Sequence, residues 1–236
     1  MDFLKQFFRS VFHEGISEAT HDHSSFEELS EAELEAHLEV AKYGNFSLTD
    51  AVRPSFDLQV VPKQGFRHDV YRDEEANTNV PVLMASASKE ILFDVFMELI
   101  EQLGTEVDVV LETSHNRDGG GHTDLYREHI DMPILQSILW DYEDLLLNDG
   151  CTGIAVLNPH IPQEVQFDEH KLLIIYGNPL DSYQYALKSQ NVHCDDEMKF
   201  ITEAEHVHSS NDQYYQQFEE LKMRLGMDSN FDELTC

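Results

Sequence analysis

Basic side chains are scarce in this sequence. It has 15 lysines and arginines against 46 aspartates and glutamates, which leaves a formal net charge of −31 with histidine neutral. The chain contains no basic stripe of the kind that binds the phosphate backbone of DNA or RNA. We therefore expect no nucleic-acid ligand, and the same negative field disfavours contact with anionic membrane surfaces.

Cysteine is also rare, since the 236 residues include only Cys151, Cys194 and Cys236. An odd number of cysteines without a C-x-x-C pair is typical of a reduced protein rather than a disulfide scaffold, so we predict a cytoplasmic location. No apolar run reaches the roughly 18 residues of a transmembrane helix. Lys5 and Arg9 interrupt the apolar stretch that a secretory signal would need.

The signature motifs of several large enzyme families are missing. The chain has no G-x-S-x-G nucleophile elbow and no G-x-G-x-x-G dinucleotide loop, and its DGGGH segment lacks the ending of a phosphate loop. No family can be named from these residues. The leading hypothesis is therefore a non-catalytic interaction or regulatory role with a protein partner and without a cofactor. The acidity also permits a mimic of nucleic acid that binds a basic protein.

What the sequence does contain is the pattern of a packed core, because apolar residues make up 41% of the chain. Strand and helix patterns alternate: strands at 80–88, 105–113 and 152–159, helices at 89–104 and 133–150, and a hairpin at 164–176. Crossovers of this length favour parallel pairing, and the hairpin adds antiparallel pairing. We predict an α/β or α+β fold with a mixed sheet of about five to seven strands flanked by helices.

The N-terminal part has a different composition. We predict a helical extension at 1–48 and a mixed α/β domain at 49–236. Residues 1–15, MDFLKQFFRSVFHEG, place a broad apolar face on one side of a helix, which suggests self-association. Ser30 and Glu33 have the spacing of a capping box at the start of a second helix.

The richest stretch in polar chemistry follows the strand at 105–113. We interpret residues 114–132 as a long, glycine-containing loop at the end of a buried strand, where ligands bind in α/β sheets. His115, Asp118 and His122 supply the nitrogen and oxygen ligands that Zn²⁺ or Mn²⁺ uses. This loop is therefore a candidate divalent-metal site, and the alternative interpretation is a solvated polar connection without a ligand.

The alternative function is accordingly a metal-dependent hydrolase. His160 follows the next strand, and it would join the metal ligands if the two strands run parallel. Asp124 would act as the general base on a metal-activated water.

Two H-x-H pairs are further metal-ligand candidates. His21 with His23, and His206 with His208, would each share one face of an extended strand and so could chelate one ion. Because the first pair lies in a polar connection, and both pairs have exposed-looking flanks, we expect neither to hold a metal.

Removal of residues 1–15 tests the self-association hypothesis. If the apolar face of this segment is buried against a second copy, the truncated protein will dimerise more weakly than the full chain. Sedimentation velocity over a concentration series measures this. Equal sedimentation of the two proteins would contradict the hypothesis.

Overall fold

The structure is a computed structural model that describes residues 24–27, 29–73, 78–115 and 122–227. The amphipathic helix predicted at residues 1–15 lies outside the described residues. Within the described ranges, no helix combines the length and apolar character needed to cross a bilayer.

Six α-helices and eleven strands make up the regular structure of the described chain. The helices are α1 (Glu31–Leu38), α2 (Lys89–Ile100), α3 (Met132–Trp140), α4 (Glu143–Asn148), α5 (Asp181–Ser189) and α6 (Asp212–Arg224). The strands are β1 (Lys42–Tyr43), β2 (Phe46–Ser47), β3 (Val52–Pro54), β4 (Gly65–Asp73), β5 (Thr78–Ser86), β6 (Glu106–Thr113), β7 (Thr123–Asp131), β8 (Thr152–Leu157), β9 (Glu164–Phe167), β10 (Leu173–Tyr176) and β11 (His206–His208).

The main sheet has seven strands in the order β4-β5-β10-β9-β8-β6-β7. The predicted fold class, a sheet of this size flanked by helices, is confirmed. The predicted parallel pairing is wrong, because every neighbouring pair in this sheet is antiparallel. The reason is β7, which reverses the chain before α3 and α4 begin. The helices then return the chain to the opposite end of the sheet, and β8 runs antiparallel to β6.

The interpretation of residues 114–132 as one loop is also wrong. Residues 123–131 form β7, and the connection between β6 and β7 is confined to 114–122. The strand has no clear apolar alternation because it lies at the sheet edge, where most of its side chains are exposed. Likewise, the single helix predicted at 133–150 is divided into α3 and α4.

One face of the main sheet carries the core. Alternate residues of its strands, such as Leu83, Leu111 and Phe167, are fully or almost fully buried beneath the helices. Helix α2 lies over β9, where the ring of Phe96 packs against Phe167 at a centroid distance of 5.2 Å. Burial of such side chains supplies about 1.5–3 kcal/mol each, so this layer is the main source of stability.

Two smaller sheets complete the fold. β1 pairs with β2, and β3 pairs with β11 in an antiparallel two-stranded sheet whose residues are all buried. The segment before β11 covers part of the other face of the main sheet, where Met198 and Phe200 pack against Met84 and Ile174. This places β11 close to the main sheet.

The N-terminal part of the described chain contacts the rest of the fold. The predicted capping box is confirmed, because Ser30 Oγ accepts from Glu33 N and Glu33 Oε2 accepts from Ser30 N. The His37 Nε2 atom of α1 lies 2.8 Å from the carbonyl oxygen of Pro54. The domain boundary at residue 48 stays a prediction.

Two isoleucine-to-alanine substitutions in helices test where the core lies. Ile100 in α2 has no exposed surface, whereas Ile134 in α3 is 53% exposed. Ile100→Ala should lower the free energy of unfolding by about 2–5 kcal/mol, because it leaves a cavity in the core. Ile134→Ala should change it by less than about 1 kcal/mol. Urea denaturation measures both, and equal losses would contradict this assignment of the core.

Candidate metal centre

The residues predicted as metal ligands are only partly brought together. His115 follows β6 and His122 precedes β7, so both lie at the same end of the main sheet. Asp118 lies outside the described residues. Asp124, the predicted base, is an exposed residue near the start of β7 and lies opposite Glu112 of β6.

His115 occupies a buried position between elements. Its Nε2 atom lies 3.1 Å from Asp149 Oδ2, and its Nδ1 atom lies 2.7 Å from Thr113 Oγ1. The rings of Tyr215 and Phe218 pack against the imidazole at centroid distances of 5.3 Å. Both ring nitrogens therefore face protein oxygens, and the side chain links β6 to the start of β8. His122 is more exposed, with Nε2 3.7 Å from Glu169 Oε1.

His160 lies at the other end of the sheet. In the antiparallel register, Thr113 at the end of β6 is opposite Thr152, and Asp108 is opposite Leu157. His115 continues beyond Thr113, whereas His160 continues beyond Leu157. A strand of this length separates the two ends by roughly 17 Å, because each residue advances about 3.4 Å. The expected convergence of His115 and His160 required parallel strands and is not found.

Another group of histidines does converge. Residues His170, His206 and His208 each offer a ligand atom, and these atoms lie within 4.8 Å of one another. His206 and His208 come from β11, where alternate residues share one face, and His170 comes from the turn between β9 and β10. The three ring centroids are 4.7–5.1 Å apart. We name these residues the three-histidine cluster.

Each imidazole of the three-histidine cluster is oriented through its Nδ1 atom. His170 Nδ1 lies 2.9 Å from Asp168 Oδ2. In the other two rings, Nδ1 lies 2.8 Å from the carbonyl oxygen of Ala204 and 2.7 Å from that of Gly150. An acceptor at Nδ1 fixes the tautomer that carries its proton there and makes Nε2 the ligand atom. Carboxylate and carbonyl acceptors of this kind are the usual supports of metal-binding histidines.

The protonation state of His208 suits a metal ligand. Burial, together with the neighbouring His170 and His206, lowers the pKa of His208 to about 3. The ring is therefore neutral at physiological pH, as a coordinating imidazole must be. Its Nε2 atom is buried and has no hydrogen-bond partner among the described residues. A buried polar atom in that condition costs free energy that a bound ion would recover.

The turn that carries His170 is held by buried charges. Burial alone would raise the pKa of Asp168, but His170 and the backbone N–H of Leu172 keep that pKa below its ordinary value. Lys171 donates from Nζ to the carbonyl oxygen of Thr152 at 2.8 Å, and it has a φ of 64°. Non-glycine residues are uncommon in this left-handed region, where the backbone is strained.

Two other groups of possible ligands are less suited to an ion. One combines His115, Asp149 and Cys151, but burial and the Asp149 carboxylate raise the pKa of Cys151 and so favour its protonated thiol. The other combines His68, Cys194 and Asp196 on the exposed surface. There His68 Nδ1 already lies 2.9 Å from Asp196 Oδ1. The three-histidine cluster has the most complete set of orienting contacts.

Sequence reasoning singled out two of these three residues and dismissed them. The H-x-H spacing of His206 and His208 correctly implied one shared face on a strand. The expectation of exposed flanks was wrong, because β11 is buried between β3 and the main sheet. No local signal marks His170, because only tertiary packing brings this turn next to His206 and His208. The other pair, His21 and His23, lies outside the described residues.

Comparison of this chain with models of protein families, with curated proteins and with solved structures finds no match. A function for this protein therefore has to be inferred from its residues and their geometry.

The end of the main sheet that carries the three-histidine cluster also contains a carboxyl group with a shifted pKa. Burial raises the pKa of Glu112 from 4.5 to about 7, and the nearby Asp124, Asp168, Glu164 and Glu169 add to this effect. The raised pKa means that folding disfavours the charged form of Glu112. Its ionisation therefore destabilises the fold progressively as pH rises from about 4.5 to about 7.

Glu112→Gln tests this pKa shift. The variant should be more stable than the parent protein at pH 8 and similar to it at pH 4, because only the parent loses stability as Glu112 ionises. Thermal unfolding over this pH range measures the difference. Glu128→Gln removes an exposed carboxylate of β7 and serves as the control. A difference that does not change with pH would contradict the shift.

Proposed function

We propose that this protein is a metalloprotein that binds one divalent transition-metal ion at His170, His206 and His208. The observation that carries the proposal is the convergence of three imidazoles, each held at Nδ1 by an acceptor. His206 and His208 are buried and His170 is partly buried, and their ligand atoms lie within 4.8 Å of one another. A common cation gives their ligand atoms a shared partner.

The chemistry of the ligands favours Zn²⁺. Imidazole nitrogen is a preferred ligand of Zn²⁺, whereas Mn²⁺ prefers carboxylate, carbonyl and water oxygens. With Zn–N bonds of about 2.0–2.1 Å, the nitrogens of a tetrahedral site lie about 3.3 Å apart. The ligand atoms of the three-histidine cluster lie within 4.8 Å of one another, so each separation exceeds this spacing by at most about 1.5 Å. Zn²⁺ is therefore the ion that we expect.

Three histidines leave one position of a tetrahedral ion for a water molecule. Of the three histidines, His170 also lines a cavity of about 30 Å³, a volume that suits a single water. A Zn²⁺ ion held by His170, His206 and His208 would lower the pKa of a bound water and so would supply the nucleophile for hydrolysis. The proposed reaction class is therefore metal-dependent hydrolysis.

Glu169 is the carboxylate that we assign as the base. It adjoins His170 in the chain, and burial raises its pKa. Ser114 Oγ donates to its Oε2 atom at 2.8 Å, which fixes the position of the side chain. A carboxylate held in this way is suited to accept a proton from a bound water. This assignment replaces the prediction for Asp124, which lies exposed on the edge strand.

The interaction role predicted from the sequence stays a prediction. It depends on residues 1–15, which lie outside the described residues. The negative charge of the chain is compatible with either function, because it favours cations as well as basic partners.

Metal analysis of purified variants tests the proposed centre. Protein prepared without chelators should contain about one Zn²⁺ per chain, and His206→Ala or His208→Ala should remove it. His160→Ala is the matched control, because this histidine is exposed at the opposite end of the sheet. Elemental analysis and the thermal shift on adding Zn²⁺ measure the outcome.

A further variant separates the two possible metal sites. His115→Ala should retain the ion if the three-histidine cluster binds it. Loss of the ion in His115→Ala but not in His206→Ala would instead support the site predicted in the glycine loop. No ion in the parent protein, with no thermal shift, would refute both sites.

A further inference from the structure

A cavity of about 440 Å³ lies at the opposite end of the main sheet from the three-histidine cluster. Its volume falls within the range of small-molecule sites, about 300–1,000 Å³. Its lining combines aromatic, polar and apolar side chains, among them Tyr71, Tyr176, Glu164, Gln166, Ile161 and Pro162. The proposed metal function makes no use of this cavity.

The strand register explains why these side chains share one face. Tyr176 of β10 is opposite Glu164 of β9 on one side and Val82 of β5 on the other. Tyr71 of β4 is opposite Val80 of β5, two residues away and therefore on the same face. The rings of Tyr71 and Tyr176 meet edge to face, with centroids 6.0 Å apart and planes at 88°.

The cavity has aromatic walls and a carboxylate, but no positive charge. Among the described residues that line it, none is a lysine, arginine or histidine. Glu164 accepts a hydrogen bond from Gln166 Nε2 and forms no ion pair within the described chain. Burial raises the pKa of Glu164, and among the described residues no cationic side chain pairs with this carboxylate.

The local potential is negative as well. Burial and the nearby Glu164 and Asp168 carboxylates together raise the pKa of Tyr176 to about 12. Aromatic faces attract cations, and this attraction strengthens in partly desolvated sites. Ile161 and Pro162 add apolar surface that fits an aliphatic chain. The amide oxygens of Gln163 and Gln166 add acceptors for N–H donors.

We propose that this cavity binds a primary alkylammonium group, with the ammonium between Glu164 and the tyrosine pair and the alkyl chain against Ile161 and Pro162. The positive charge would compensate Glu164, and the three N–H bonds would find carboxylate and amide acceptors. The group is present both in free aliphatic amines and in the lysine side chains of peptides. Both sources supply the same chemistry.

Calorimetric titration at physiological ionic strength tests the proposal with two probes. Cadaverine represents a free amine, and Nα-acetyl-lysine methylamide represents a lysine side chain. At least one of the two should bind, and the stronger probe identifies the source. The neutral analogue 1,5-pentanediol should not bind measurably, because it lacks the charge that compensates Glu164.

Two variants in the cavity and two control variants locate the binding. Glu164→Gln and Tyr71→Ala should each weaken the better probe about tenfold or more, because each removes one of the two cation contacts. Tyr126→Ala removes an exposed tyrosine of β7 outside the cavity, and Glu128→Gln removes one surface charge. Both controls should bind as the parent protein does.

Two results would overturn the proposal. One is no heat of binding for either amine. The other is equal weakening by Glu164→Gln and Glu128→Gln, which would mean that amines collect on the acidic surface without a site. The metal centre is tested by different residues, so failure here would leave it unaffected.

Discussion

The close backbone contact at Gly150 is the constraint on which the three-histidine cluster depends. Gly150 N donates to Ser209 O at 2.8 Å, and Ser209 N donates to Ala51 O at 2.7 Å. A Cβ atom at position 150 would lie well inside contact distance of the Ala51 carbonyl oxygen. Only glycine therefore lets the chain before β8 approach the small sheet so closely. The same residue presents the carbonyl oxygen that orients His208.

The two ends of the main sheet are chemically distinct, and the antiparallel arrangement produces this difference. Each hairpin has its turn at one end of the main sheet and its open strand ends at the other. Residues that are close in sequence therefore lie at opposite ends of the sheet. The turn carrying His170 lies at one end, while Glu164 and Tyr176 of the same hairpin lie at the other. A parallel sheet would have placed its strand-end residues along one edge. One end therefore presents a cluster of imidazoles, and the other presents a carboxylate beside aromatic rings.

The sequence allowed the size of the sheet, most core strands and the capping box of Ser30 to be predicted, because apolar alternation and side-chain caps are local signals. Strand direction was not predictable, because β7 lacked alternation at the sheet edge and was interpreted as loop. That one error also misplaced His160. The place of His170 in the three-histidine cluster could not be predicted, since His206 and His208 are 36 and 38 positions away along the chain.

The edge strand β7 has a consequence for how copies of the chain can meet. An unpaired edge exposes backbone donors and acceptors that can template pairing with another chain. Here the exposed side chains of β7 include Asp124, Arg127 and Glu128. Pairing two such edges would bring carboxylates together and remove them from water, which is unfavourable. The charged side chains of the edge strand β7 therefore disfavour edge-to-edge pairing between copies of the chain.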